Sequence, residues 1–145
     1  MIPAGVTSIE SFAFYGCGSL TSITIPSSVI SIGSSAFASC SSLTSITIQS
    51  GVTSIADRMF SNCTSLTNIT LPNSVTTIGL EAFRGCKSLT NITIPPGVTS
   101  IWDNMFRGCD NLKTITLHRG ARVSRVTGGD LTNHWPSGMT FAYID

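Results

Sequence analysis

Cys40-Ser-Ser-Leu43-Thr-Ser-Ile46-Thr-Ile48 is the stretch on which the fold turns. Its spacing returns as Cys17, Leu20, Ile23 and Ile25, then as Cys63, Leu66, Ile69 and Leu71. Cys86, Leu89, Ile92 and Ile94 repeat it, as do Cys109, Leu112, Ile115 and Leu117. The interval is 23 residues each time, without insertion or deletion. A fixed period of that length marks a solenoid, whose coils bury their apolar sides mainly against one another.

Working outward, five copies abut at 2–24, 25–47, 48–70, 71–93 and 94–116. Within one copy Val29, Ile32, Phe37, Cys40, Leu43 and Ile46 keep fixed phases that follow neither a helical period nor a long alternation. Such a pattern describes a chain that turns a corner every few residues and points its apolar side chains to the middle. Ile46-Thr47-Ile48 alternates in and out as a short strand does. Pro3, Pro26, Pro72 and Pro95 follow that phase directly, with Gln49 the exception. Proline has no N–H for the ladder, so it ends the strand. Val-x-x-Ile is then a second extended piece, and Ser34–Cys40 predicts one or two turns of helix. Gly85 and Gly108 suit the exit from such a turn. The fold class expected is an α/β repeat solenoid with one parallel sheet and short helical or irregular segments opposite it.

Composition narrows the function. Eight Lys+Arg against seven Asp+Glu leave a net charge of +1, too small to steer the chain to nucleic acid or an acidic membrane. Ser and Thr together make up 41 of 145 residues, so solubility rests on hydroxyls rather than charge. No apolar run approaches the roughly 18 residues of a membrane span, and the first residues lack the basic and apolar regions of a signal peptide. Membrane insertion is therefore not expected. The five cysteines are odd in number and share one phase, which predicts a buried file of reduced thiols rather than a disulfide framework. They are also too far apart in sequence for a zinc knuckle, so neither a metal site nor a cofactor is expected.

Near residue 117 the pattern fails, and residues 118–145 read as a C-terminal cap or tail. Arg119, Arg122 and Arg125 would give it a polar outer face. Its aromatic end, with Trp135, Phe141 and Tyr143, predicts an irregular lid over the exposed apolar end of the stack or, alternatively, anchors for a partner. No comparable cap stands before Ile2. Either the native chain starts further upstream or that end pairs with another copy, giving a homodimer.

The motif Cys-x-x-Leu-x-x-Ile-x-Ile-Pro-x-x-Val-x-x-Ile-x-x-x-Ala-Phe-x-x-Cys resembles the BspA-like leucine-rich repeats, also called the Treponema pallidum type, over residues 2–117. The resemblance implies an arc with its parallel sheet on the concave side. It also implies cell-surface or secreted proteins that bind matrix proteins or other cells, and a family with no common active site. One departure is that the Asn or Cys expected eight residues after the first Leu is replaced by Gly51, Ser74 or Gly97. The Cys column can then satisfy buried backbone groups in its place.

Two polar columns alternate with the inward residues: Ser22, Ser45, Asn68, Asn91 and Thr114, and beside them Thr24, Thr47, Thr70, Thr93 and Thr116. Threonine there can simply suit a strand, its hydroxyls bonding one another. Alternatively the columns form a recognition surface for a protein or glycan on a host or neighbouring cell, since solenoids commonly bind on the inner curve. Arg58 and Glu81 share a phase on the opposite side and should pair. His118, His134 and Asp130 lack a nucleophile with activating neighbours, so no catalytic residue is assigned. Sequons at Asn62, Asn68 and Asn91 read as by-products of the repeat.

Overall fold

The computed structural model describes residues 1–124 and 135–145. Equivalent phases of successive copies lie directly over one another. Ser22–Ile25 pairs in parallel with Ser45–Ile48, Ile23 opposite Ile46 and Ile25 opposite Ile48. Ser45–Ile48 pairs in the same sense with Asn68–Thr70. Asn91–Thr93 likewise pairs with Thr114–His118. Inward and outward positions alternate strictly: Ile46, Ile69, Ile92 and Ile115 are buried, while Ser45, Thr47, Asn68, Thr70, Asn91 and Thr93 are exposed. A second row of shorter strands follows the proline corner, with Ser8–Ile9 beside Ser31–Ile32 and Ser54–Ile55 beside Thr77–Ile78. Gln49 explains why its coil dispenses with proline. Its N–H donates to the Ile25 carbonyl, and its Oε1 accepts from the Ser27 N–H at 3.0 Å.

The convex side corrects one expectation. Ser34–Cys40 is a run of consecutive turns rather than helix, and among the described residues the one helical segment is a single 3-10 turn at Asp103–Phe106. Alternate N–H groups there close tight turns, such as Ala38 N–H to the Ser35 carbonyl. The others leave for the next coil: Ser35 N–H to Asp57 O, Phe37 N–H to Met59 O and Ser39 N–H to Ser61 O. A helix would have spent both sets internally. The geometry needs left-handed residues, found at Ser35, Arg58 and Glu81 and, four positions on, at Ser39, Asn62, Gly85 and Gly108. The glycines thus do mark the turn's exit, and the other positions bear the cost of a Cβ there. These bonds all run from one coil towards the next in sequence, so the stack is polar along its axis.

Through the middle runs one file of rings. Phe14, Phe37, Phe60, Phe83 and Phe106 stack at centroid separations of 5.0, 5.9, 5.7 and 5.6 Å. Beside it stands the thiol file. Cys40, Cys63, Cys86 and Cys109 are buried and reduced, and each Sγ donates to the carbonyl of a phenylalanine in the preceding coil. The cysteines therefore satisfy buried backbone acceptors. Cys17, in the first copy, departs from the expectation: it is exposed.

The C-terminal segment also departs from the irregular lid expected of it. Thr140–Ile144 adds a sixth parallel strand beside Thr114–His118, Phe141 opposite Ile115 and Tyr143 opposite Leu117. Arg122–Ser124 extends the second row beside Ser100–Trp102. Backbone groups left open at the fifth coil are paired in this way, which is the physical reason the chain continues the sheet. Trp135 then takes the next place in the ring file, 6.2 Å from Phe106, with Phe141 edge-on to it at 5.2 Å.

Candidate functional site

The concave face carries the candidate residues, and pairing brings them into two rows. Ser22, Ser45 and Asn68 are cross-strand neighbours, as are Asn91, Thr114 and Thr140. Beside them run Thr24, Thr47 and Thr70, then Thr93, Thr116 and Ala142. Neighbouring members lie about 4.8 Å apart across a sheet. Thr114, Thr116 and Ala142 are half-buried, the others exposed. The adjoining column spends its hydroxyls internally: Thr44 Oγ1 donates to Thr21 O at 3.0 Å and Thr67 Oγ1 to Thr44 O at 3.2 Å. Among the described residues, no hydroxyl-to-hydroxyl bond joins Thr24, Thr47, Thr70 and Thr93. Their donors and acceptors face solvent.

Among the described residues, two hollows open on this face. One, of about 810 Å³, lies at the N-terminal end between Met1, Ile2, Phe14, Leu20 and Ile23 on the apolar side and Ser22, Thr24, Ser45, Thr47 and Gln49 on the polar one. The other, of about 260 Å³, lies mid-sheet and is lined by Asn68, Thr70, Asn73, Asn91, Thr93 and His118. Sequence reasoning missed Asn73 and His118 as parts of the surface. Both fall where the chain turns out of the strand, a phase held by Pro26 and Ser27 in the second copy, so only the fold brings them to the strands.

The tail residues divide. Trp135 and Phe141 pack half-buried against the core, whereas Tyr143 is 54% exposed although its phase points inward. Arg119 pairs with Asp145 and Arg122 is exposed, as a polar terminal coil requires. Arg125, Asp130 and His134 lie outside the described residues. On the convex side Arg58 meets Glu81 at 2.7 Å, and Arg84 reaches the same carboxylate at 3.5 Å. The Glu81 pair holds the Arg58 guanidinium above its ordinary pKa.

The thiols are held neutral. Burial pushes Cys40 up, and Cys63 is pushed up to about 12 for the same reason. Cys86 is raised by the neighbouring Cys109 thiol and by burial. Neutral, buried thiols are poor nucleophiles and poor metal ligands. Among the described residues, no three of His, Cys, Asp and Glu come together as a metal cluster, and no helix is long and apolar enough to cross a membrane.

A stack of parallel coils with an inner sheet and turn-built outer side is a leucine-rich-repeat solenoid. The chain belongs to the BspA type leucine rich repeat family, whose model matches residues 2–125 in six copies. It is 40% identical to a leucine rich cell surface protein of Faecalibacterium prausnitzii A2-165, with a TM-score of 0.78, covering 80% of this chain and 31% of that one. A leucine-rich repeat protein of Bacteroides ovatus is 30% identical with a TM-score of 0.80, over 99% of this chain and 41% of that one. The leucine-rich repeat protein of T. pallidum is 31% identical with a TM-score of 0.74, over 94% and 67%. The chain thus spans about a third to two-fifths of the length of the first two. No curated protein matches it.

Proposed function

We propose that the chain is a non-enzymatic recognition module at a cell surface, which binds a protein or glycan of a host or neighbouring cell on its concave face. The observation that carries this is the pair of exposed, in-register polar columns whose hydroxyls and amides are not bonded to one another. Left unbonded to one another, those groups are available to a ligand. Similarity to a leucine rich cell surface protein supports the location. The reading includes no cofactor, metal, membrane insertion or nucleic acid; a net charge of +1 offers the last little attraction. Thr47, Thr70 and Thr93 changed together to Glu test it, with binding to matrix laid down by cultured cells as the readout. Burying three carboxylates against a partner should weaken binding at least about 100-fold. Unchanged binding would move the surface elsewhere, first to Tyr143.

A second reading, self-association through the N-terminal edge, is favoured by the exposed Cys17 and the half-buried Phe14, Leu20 and Ile23 beside the larger hollow. The C-terminal coil presents a polar outer face, so such pairing joins two N-terminal ends and closes as a dimer. Sedimentation separates the cases: a dimer that persists on dilution supports it, whereas a monomer at all concentrations overturns it.

A further inference from the structure

The concave sheet is not one ladder. Its hydrogen-bonded strands form two groups of three, Ser22–Ile25, Ser45–Ile48 and Asn68–Thr70 in one, Asn91–Thr93, Thr114–His118 and Thr140–Ile144 in the other. No strand pairing joins Asn68–Thr70 to Asn91–Thr93. Thr67 N–H donates to Thr44 O and Lys113 N–H to Thr90 O, but the corresponding bond from Thr90 to Thr67 is not formed. The hollow of about 260 Å³ lies over this seam. The two strands flanking it are also those where the serine column changes to asparagine, at Asn68 and Asn91. Asn73 brings a third amide and His118 an imidazole.

We propose that this seam groove binds one sugar ring of a neutral glycan. The inference rests on the concave-face reading and names its ligand class. Amides, hydroxyls and an imidazole line the groove, and each amide both donates and accepts. Adjacent hydroxyls of a sugar offer the same mixture, so each can be matched without burying a charge. No Arg, Lys, Asp or Glu lines the groove, so an anionic ligand would find no charge-assisted partner. No aromatic lines it either, so a protein would lack the aromatic or Arg anchors that carry most interface energy. The volume falls below the ~300–1,000 Å³ typical of drug-sized ligands, as a single ring requires. One of the amides is already committed in part, since Asn91 Nδ2 donates to Thr90 Oγ1 at 3.3 Å. Binding to one ring will therefore be weak. Further rings can lie on the columns either side, at Thr47 and Thr116, and raise affinity by effective concentration.

The test is titration of the isotope-labelled chain with neutral hexasaccharides of glucose, mannose and galactose, followed by NMR. Saturable shifts of the Asn68, Asn73 and Asn91 side-chain amides are expected, with tighter binding than for the free monosaccharides. Asn68→Ala with Asn91→Ala should weaken binding about tenfold or more, as the loss of two hydrogen bonds implies. Arg58→Ala, on the convex side, should leave it unchanged. Both sites are exposed, and the dispersion of the same spectrum reports folding. No response to any saccharide, or a response undiminished in the double variant, overturns the proposal. Matrix binding that is lost on the Thr47, Thr70 and Thr93 substitutions while every saccharide is ignored would leave the recognition face standing and end the sugar assignment alone.

Discussion

Phe14 and Phe60 hold the same phase of the repeat, yet their surroundings are opposite. Phe60 is wholly buried, with Phe37 5.9 Å away on one side and Phe83 5.7 Å on the other. Phe14 has Phe37 at 5.0 Å and, on its other side, a hollow. Cys63 and Cys17 show the same contrast, the first buried and the second exposed. Burial in this molecule is thus supplied by the coils above and below, not by the residue's own coil. Stability then accrues largely as a sum of interfaces along one axis.

The comparison can be broken most sharply at the rings. Phe60→Ala should cost about 3–5 kcal/mol, because it leaves a cavity enclosed by two coils. Phe14→Ala should cost only about 1–2 kcal/mol, since that side chain is half-buried to begin with. Urea denaturation of both variants checks this, and equal costs would mean that the two ends of the stack are not distinct.

Alkaline pH sharpens the contrast at the thiols. Folded Cys63 keeps its proton to about 12, whereas the unfolded chain releases it near 9.0. Above that lower value the unfolded state binds fewer protons, so stability is present in full below it and falls as pH rises towards the upper one. The urea midpoint should therefore drop over that window, and Cys63→Ser should shallow the drop. A flat midpoint would mean the thiol is not buried.

Thiol chemistry compares the ends directly. In the native protein iodoacetamide should label Cys17 rapidly and the four buried cysteines at least about 100-fold more slowly, their reaction waiting on local opening. Mass spectrometry of the digested protein reads each site. Uniform labelling would place the file of thiols on the surface. The smallest effect belongs to the exposed convex ion pair: Arg58→Ala should leave the melting temperature essentially unchanged, and the absence of any salt dependence would agree.

Much of this was legible in the residues. Ile46-Thr47-Ile48 alternates as its strand does, the inward phases of the copies became one core, and Arg58 with Glu81 made the pair their shared phase implied. The convex turns were harder to read. Ser34–Cys40 carries ordinary helix-compatible residues, and nothing in them announces that alternate N–H groups will bond to the next coil. The sixth strand was hidden by spacing, since Thr140 stands opposite Thr114, a longer step than the regular period. Its alternation, Thr140-Phe-Ala-Tyr-Ile144, was the signal available. Of the candidate surface, the two columns were visible as phases, but their division at Asn68 and Asn91, and the arrival of Asn73 and His118 beside them, were not.

Periodicity by itself determined that this chain coils, which side chains turn inward, and which columns face out, because a repeated apolar phase can be buried only by stacking. The packed coils alone decided where hydrogen bonds cross between neighbours, where they lapse, and which copies of an identical side chain are covered. Those outcomes depend on the partner strand and the adjoining coil, which no single repeat contains.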